Sequence, residues 1–154
     1  CELAESLATE FGLVGVMAVE LFLVGSELVI NELATRPHNT AHHTIEAAET
    51  SQFEQHLRAV LGWPLGATRA RSGAAAMVNV VGAADGSDPQ RHLPRVLALP
   101  GAHVHLYGKA PRSGRKLGHV TALGATVGQA RAVAHRAAAL LGAPDPCVRT
   151  DGAA

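Results

Sequence analysis

The sequence has 154 residues, 47% of them hydrophobic and 17% charged, which suffices for one ordinary hydrophobic core or two small ones. Its 13 basic residues balance its 13 acidic ones, so no overall field attracts nucleic acid or an anionic membrane, and any anion recognition must be local. The longest apolar run, residues 13–19, falls far short of the ~20 residues that span a bilayer.

Two cysteines, Cys1 and Cys147, lie near opposite ends of the sequence. They show neither the spacing of a disulfide framework nor that of a zinc finger, so we predict a reducing, cytoplasmic location. Residue 1 is not methionine, and residues 2–11 have the composition of a helix with no cap before it. We therefore expect further protein sequence ahead of Cys1.

The first half of the sequence predicts a helix, a β-hairpin and a second helix. Helical composition over residues 2–11 is followed by two β-rich runs with Gly25 and Ser26 between them. A loop containing proline and asparagine comes next. The second helix begins with capping-box spacing between Ser51 and Glu54 and runs to residue 62.

The second half predicts a smaller set of strands and helices beyond a candidate domain boundary at Pro64 and Gly66. The predicted elements are, in chain order, strands near 67–71 and 75–82, a helix opened by Asp88 and Pro89, strands at 103–109 and 116–123, and a helix from Thr126 to about Leu141. The whole pattern is that of an α+β chain.

Two acids, Glu20 and Glu32, each lie inside an apolar run. With a three-residue hairpin loop at 25–27, Val24 pairs with Leu28 and Glu20 lies directly opposite Glu32, with Cβ atoms ~4.5–5.5 Å apart. Two carboxylates this close, on strands that are apolar on both faces, repel each other and lack water. A divalent cation such as Mg²⁺ would resolve the conflict.

Two other arrangements of these acids remain open. With a two-residue loop, Glu20 opposes Asn31 and Glu32 points to the other face. Alternatively, Glu20 ends an exposed edge and Glu32 pairs with Arg36. The residues alone do not choose among the three.

The loop after the second strand adds Arg36, His38 and Asn39 within seven residues of Glu32. A guanidinium, an imidazole and an amide together suit the binding of phosphate or carboxylate. Singly, each has an ordinary explanation, as an ion-pair partner, a turn residue and a helix cap. Their conjunction favours a functional loop.

A second basic loop holds both of the sequence's lysines, Lys109 and Lys116, together with Arg112 and Arg115. Four cations in eight residues, with glycines that permit close approach of the backbone, suit a phosphate monoester. A solvated basic loop is the alternative. The histidine pairs at 42–43 and at 103 and 105 do not favour zinc. Adjacent histidines diverge on any element, and the second pair alternates along a strand without a third ligand nearby.

Several runs resemble one known family. VELF, ELVINELATRPHNTAHHTIEA and SQFEQHLRAVLGWPLG are similar to the end of the ATP-grasp domain in the carboxyaminoimidazole ribonucleotide synthase family, the ATPase subunit of phosphoribosylaminoimidazole carboxylase. HLYGKAPRSGRKLGHV resembles that family's C-terminal motif. The resemblance covers nearly the whole chain in order. It departs mildly from the family at four positions, Thr35, Ala41, Ala110 and Ser113.

The resemblance implies roles for individual residues. Glu20 and Glu32 would bind the Mg²⁺ that bridges the ATP phosphates, and Asn31, with Glu32, would lie in the nucleotide site. The loop that faces the reactive intermediate and the acceptor is matched by Arg36, His38 and Asn39. Arg36 would stabilise anionic oxygens, and His38 would either orient a group or remove a proton.

The second motif implies a site for the substrate's ribose phosphate. Lys109 and Arg115 match the residues that hold it, Lys116 is a weaker candidate, and Arg112 would face solvent. The family joins bicarbonate to ATP's γ-phosphate to give carboxyphosphate, which carboxylates aminoimidazole ribonucleotide in purine biosynthesis. The implied partners are ATP, bicarbonate and this ribonucleotide, in a cytoplasmic homodimer that binds neither nucleic acid nor a membrane.

The resemblance also implies an architecture and leaves alternatives. Residues 1–63 would form the end of the ATP-grasp domain, residues 64–143 a small β-rich domain of the hybrid barrel or sandwich type, and residues 144–154 a flexible tail. Another ATP-grasp carboxylase or ligase, or a non-catalytic remnant of one, remains an alternative. Because a nucleotide would lie between two halves of an ATP-grasp fold, we expect these 154 residues alone to be inactive.

Overall fold

The computed structural model describes residues 2–142 and confirms the α+β class. The chain divides into two compact units, and the division falls between Arg71 and Ser72. The predicted tail at 144–154 lies outside the described residues. No helix within residues 2–142 is long and apolar enough to cross a membrane.

Unit 1, which ends at Arg71, combines a β-hairpin with three helices. Its elements are α1 (Glu2–Glu10), β1 (Ala18–Val24), β2 (Glu27–Ala34), α2 (Thr44–Ala47) and α3 (Gln52–Val60). The two strands pair antiparallel. As predicted, Ser51 caps α3, because its Oγ accepts a hydrogen bond from Glu54 N at 3.2 Å.

The hairpin carries large apolar side chains that remain exposed. Only Ala34 is buried among the residues of β1 and β2. The exposed side chains are Leu21, Phe22, Leu23, Val24, Leu28, Val29, Ile30 and Leu33. Soluble proteins rarely expose so many large apolar side chains on one hairpin.

Unit 2, which begins at Ser72, is a three-stranded antiparallel sheet packed on helices. Its elements are β3 (Ala74–Val81), α4 (Leu93–Leu97), β4 (Ala102–Leu106), β5 (Lys116–Gly124) and α5 (Val127–Leu140). The strand order is β3-β5-β4. Valines of β3 and β5 form a buried core with Val96 of α4 and Ala137 of α5. Four buried alanines let α5 lie close to the sheet: Ala130, Ala134, Ala137 and Ala138.

The prediction of a strand at 67–71 is wrong. Residues 66–71 instead hydrogen-bond to earlier residues of unit 1, with one isolated bridge between Ala48 and Ala70. Gly66 N donates a hydrogen bond to Gln55 Oε1 at 2.9 Å, and Gln55 Nε2 donates one to Gly66 O at 2.7 Å. These bonds explain why the compact units divide later in the chain than Pro64. The predicted extent of the ATP-grasp part, residues 1–63, stays a prediction.

Candidate functional site

The hairpin turn is shorter than predicted. Val24 pairs with Glu27, so the loop contains only Gly25 and Ser26, and the predicted pairing of Val24 with Leu28 is wrong. Gly25 has a φ of 63°, which suits the first central position of a type II′ turn. A regular ladder from this turn would place Asn31 opposite Glu20.

A β-bulge at Asn31 nevertheless brings the two acids together. Leu21 pairs with Ile30, but the register then shifts, and Glu20 pairs with Glu32. The predicted pairing of the acids is therefore confirmed, although its cause is the bulge. Asn31 is the additional residue, and its Nδ2 donates a hydrogen bond of 3.1 Å to Glu20 Oε2.

The imidazole of His38 lies between the two acids. Its Nδ1 is 3.8 Å from Glu20 Oε1, and its Nε2 is 3.5 Å from Glu32 Oε1. His38 is buried, whereas the side chains of Glu20 and Glu32 are 33% and 49% exposed. The expectation that these carboxylates lack water is thus wrong. An imidazole N–H on Nε2, directed at Glu32, offsets part of the repulsion between the two carboxylates.

Gln52, the first residue of α3, holds the main chain of His38. Its Oε1 accepts from His38 N at 2.8 Å, and its Nε2 donates to His38 O at 2.9 Å. Gln52 is buried, and its own N donates to Thr44 Oγ1 at 3.0 Å. Gln52 is not among the predicted site residues, because no periodicity marks a contact between residues 14 positions apart.

The other two residues of the functional loop occupy different environments. Arg36 is exposed, and its Nη1 donates to Pro37 O at 3.2 Å. Asn39 begins a short 3₁₀ helix that is capped by His38, whose Nδ1 accepts from Thr40 N at 3.4 Å. Asn39 Oδ1 is buried without a hydrogen-bond partner in the structure.

The acid pair fits Mg²⁺ better than it fits zinc. Although His38 lies beside the two acids, no three His, Cys, Asp or Glu side chains within residues 2–142 are arranged to hold a metal ion together. Zinc usually takes three or four nitrogen, sulfur or carboxylate ligands, whereas Mg²⁺ takes one or two protein carboxylates and completes its octahedron with water and phosphate. Two partly exposed carboxylates, paired directly across a hairpin, meet the second description.

The second predicted cluster lies on the loop between β4 and β5 in unit 2. Lys109 is exposed, and its Nζ lies 5.3 Å from the centroid of the Tyr107 ring. Arg115 is half-buried, and its Nη1 donates to Ala110 O at 3.3 Å. Lys116 is the first residue of β5. Arg112 is exposed.

Gly82, directly after β3, joins this loop to the sheet. Its N donates to Arg115 O at 2.8 Å, and its O accepts from Gly114 N at 3.1 Å. A Cβ atom at Gly82 would lie 2.1 Å from Arg112 O, so only glycine fits. Gly82 is not among the predicted site residues, although a glycine at the end of a predicted strand is a signal of close backbone approach.

Two family models match the chain in succession. The ATP-grasp domain matches residues 1–53, and the phosphoribosylaminoimidazole carboxylase C-terminal domain matches residues 75–133. The first match contains the acid pair and His38, and the second contains the basic loop. By its fold and its matched domains, the chain belongs to the ATP-grasp class of proteins.

Relatives define the family more closely. N5-carboxyaminoimidazole ribonucleotide synthase of Mycobacterium tuberculosis is 53% identical over an alignment of 131 residues, and the match covers 82% of this chain and 30% of the relative. The crystal structure of N5-carboxyaminoimidazole ribonucleotide synthetase from Thermotoga maritima matches with a TM-score of 0.80 and 40% identity, over 90% of this chain and 40% of that one. This chain belongs to the N5-carboxyaminoimidazole ribonucleotide synthase family, and it spans about 30% of the length of those curated relatives.

A further solved structure is a complex. N5-carboxyaminoimidazole synthase from Aspergillus clavatus, crystallised with ADP and 5-aminoimidazole ribonucleotide, matches with a TM-score of 0.70 and 36% identity. The match covers 82% of this chain and 35% of that one.

Proposed function

We propose that this chain is part of an ATP-dependent synthase that carboxylates aminoimidazole ribonucleotide with bicarbonate in purine biosynthesis. The products are N5-carboxyaminoimidazole ribonucleotide, ADP and phosphate, and a C–N bond forms. The observation that carries this proposal is the Glu20–Glu32 pair, which a β-bulge aligns beside Asn31 and His38 inside the segment that matches the ATP-grasp domain.

The acid pair is the proposed Mg²⁺ site. Glu20 and Glu32 would hold the ion, and Asn31 would contact the nucleotide together with Glu32. When bound, Mg²⁺ neutralises charge on the phosphates and on the phosphoryl group being transferred. Partial exposure of both carboxylates leaves room for water and phosphate oxygens in the coordination shell.

The loop at 36–39 is the proposed catalytic loop. His38 is fixed through its main chain by Gln52, so its imidazole is well placed to orient a group or to accept a proton from the acceptor amine. Arg36 is exposed and free of the core, which suits a guanidinium that binds anionic oxygens of bicarbonate or phosphate. Asn39 follows His38 at the start of the 3₁₀ helix, and we assign it to the same loop.

The basic loop is the proposed site for the ribose phosphate of the acceptor. Lys109, Arg115 and Lys116 would supply its positive charges, and Gly82 holds the loop against β3. The relative from Aspergillus clavatus was crystallised with 5-aminoimidazole ribonucleotide, a phosphate monoester, which supports a substrate of this class. We further propose that the complete enzyme is a cytoplasmic homodimer.

A chimeric synthase tests the function. In it, this chain replaces the segment of the Mycobacterium tuberculosis relative that it matches, which is 30% of that protein. We expect ADP release that requires both bicarbonate and aminoimidazole ribonucleotide. A folded chimera that binds ATP but shows no dependence on the ribonucleotide would overturn the proposal, and it would favour another ATP-grasp ligase or a remnant without activity.

A further inference from the structure

Next to the basic loop, the sheet of unit 2 carries neighbouring imidazole and phenol side chains. His119, in the central strand β5, lies opposite Asn79 of β3 and His105 of β4. The imidazoles of His105 and His119 stack with their centroids 4.6 Å apart and an angle of 20° between their planes. His119 is 2% exposed, so its imidazole is held in place by the packing of the sheet.

The close approach of β4 and β5 makes this stacking possible. A Cβ atom at Gly118, the residue before His119, would lie 2.1 Å from His105 O. The absence of a side chain at this position lets the two strands come together and brings the imidazoles into contact. His119 is therefore a rigid point near the base of the basic loop.

Tyr107 connects this rigid point to the loop. Its N donates to Leu117 O at 2.9 Å, which continues the pairing with β5. Its hydroxyl lies 2.7 Å from His119 Nδ1, so the ring is held at the main chain and at the far end of the side chain. Burial raises the pKa of the Tyr107 phenol, which keeps the O–H available to donate to the imidazole.

Lys109 lies over the held ring. Its Nζ is 5.3 Å from the ring centroid, within the ~6 Å at which an aromatic face attracts a cation. An exposed lysine otherwise samples many rotamers, and fixing it on a ligand carries an entropic cost. A ring that already restricts the ammonium lowers that cost.

We propose that Tyr107 and His119 are positioning residues that hold the Lys109 ammonium in place for the substrate's phosphate. His119 orients Tyr107 through the hydroxyl, and the face of Tyr107 orients Lys109. This inference rests on the proposed function, because it takes Lys109 to bind the ribose phosphate.

Kinetics of the chimeric synthase test the inference through a double-mutant cycle. Tyr107→Leu removes the ring, and we expect it to raise the apparent KM for aminoimidazole ribonucleotide about two- to fivefold, with kcat and the KM for ATP unchanged. Because Tyr107 acts through Lys109, the same substitution should have no further effect in a Lys109→Ala background. In an Arg112→Ala background, the matched control, its full effect should remain.

Tyr107→Phe tests the contribution of His119, since it keeps the ring and removes only the hydroxyl. We expect a rise in KM between those of the wild type and Tyr107→Leu. An unchanged KM in Tyr107→Phe would overturn the role of His119. Additive effects of Tyr107→Leu and Lys109→Ala, or no effect of Tyr107→Leu, would overturn the positioning role while the proposed function stands. If Lys109→Ala itself leaves the KM for the ribonucleotide unchanged, the proposed phosphate site fails, and this inference fails with it.

Discussion

Two carboxylates placed directly opposite each other on a hairpin destabilise the pairing unless their repulsion is offset. In this chain, the Asn31 amide donates to Glu20, and the His38 imidazole lies within 4 Å of both acids. These neighbours let the chain keep the pair intact before a cation arrives. Because both carboxylates retain access to water, a cation can reach them.

Neutralising one of the acids should abolish most of the activity. In the chimeric synthase, Glu32→Gln keeps the side chain's shape but removes a negative ligand, so we expect turnover to fall ~10²-fold or more and the Mg²⁺ requirement to rise. Steady-state rates over a range of Mg²⁺ concentrations measure both effects. Glu27→Gln, on the same strand beside the turn, is the matched control and should behave as wild type. Normal turnover of Glu32→Gln at ordinary Mg²⁺ would refute the metal site.

Lys109→Ala and Arg115→Ala separate the recognition of substrate from that of nucleotide. Loss of one charge-assisted contact to a phosphate costs ~1.5–3 kcal/mol, which corresponds to a roughly ten- to hundredfold higher KM for aminoimidazole ribonucleotide. The KM for ATP should not move. Arg112→Ala, which changes an exposed cation of the same loop, serves as the control. A change confined to the KM for ATP would place this loop in the nucleotide site instead.

Gln52 should matter to both stability and turnover. Gln52→Met keeps the length of the side chain but leaves His38 N and O without their partners, at a cost of ~1–3 kcal/mol for each buried group. In the chimeric synthase, we expect a lower free energy of unfolding and slower turnover, because His38 loses its fixed position between the acids.

The matched control is Gln55→Met, which breaks a similar pair of bonds to Gly66. It should lose comparable stability in thermal or urea unfolding but keep its kcat. If both variants lose kcat equally, Gln52 contributes only to stability.

Among the elements, the hairpin shows how the length of its turn and its β-bulge together determine which residues face each other. The two-residue turn alone would set Asn31 opposite Glu20, and the bulge alone would displace the acids from each other. In combination they align Glu20 with Glu32 and leave Asn31 beside them. A bulge next to a functional residue is a common device for redirecting a side chain.

The connection between β3 and the basic loop depends on Gly82. Gly82→Ala would place a Cβ atom against Arg112 O, so the loop must move or the strand must end earlier. We expect the free energy of unfolding to fall by ~1–3 kcal/mol and the KM for aminoimidazole ribonucleotide to rise in the chimeric synthase.

Gly128→Ala provides the same substitution where there is space. The nearest atom to a Cβ there, Thr126 Oγ1, is 3.9 Å away, and the residue lies inside α5. This variant should be as stable as wild type or more stable by ~0.5–1 kcal/mol, with unchanged kinetics. Equal behaviour of the two variants in unfolding and in KM would contradict the role of Gly82.

Local patterns predicted the elements better than they predicted the contacts. The caps at Ser51 and Thr126 are confirmed, because each depends on residues only three positions apart. The predicted turn is one residue too long, and the prediction contains no bulge. These two errors cancel, so the pairing of Glu20 with Glu32 is nevertheless correct. The roles of Gln52, Gly82 and His119 depend on contacts between distant segments, which leave no periodic signal. A strand at 67–71 was predicted wrongly because tertiary hydrogen bonds to unit 1 replaced sheet pairing there.

At the scale of the whole molecule, the 154-residue chain should not release phosphate from ATP by itself. It spans about 30% of the length of its curated relatives, and its acid pair sits on a largely exposed hairpin. A nucleotide held from one side only lacks the closed surroundings that phosphoryl transfer needs. A phosphate-release assay of the purified chain, with and without aminoimidazole ribonucleotide, measures this. Release stimulated by the ribonucleotide, after removal of contaminating ATPases, would contradict it.

The exposed hairpin also has a consequence for the life of the chain in a cell. Eight large apolar side chains lie within the residues 21–33, and chaperones and proteases act on exposed surfaces of this kind. A chain whose hairpin stays uncovered should therefore be degraded faster than one whose hairpin is covered. Cellular abundance would then depend on assembly, because only chains in which other protein surface covers β1 and β2 would accumulate.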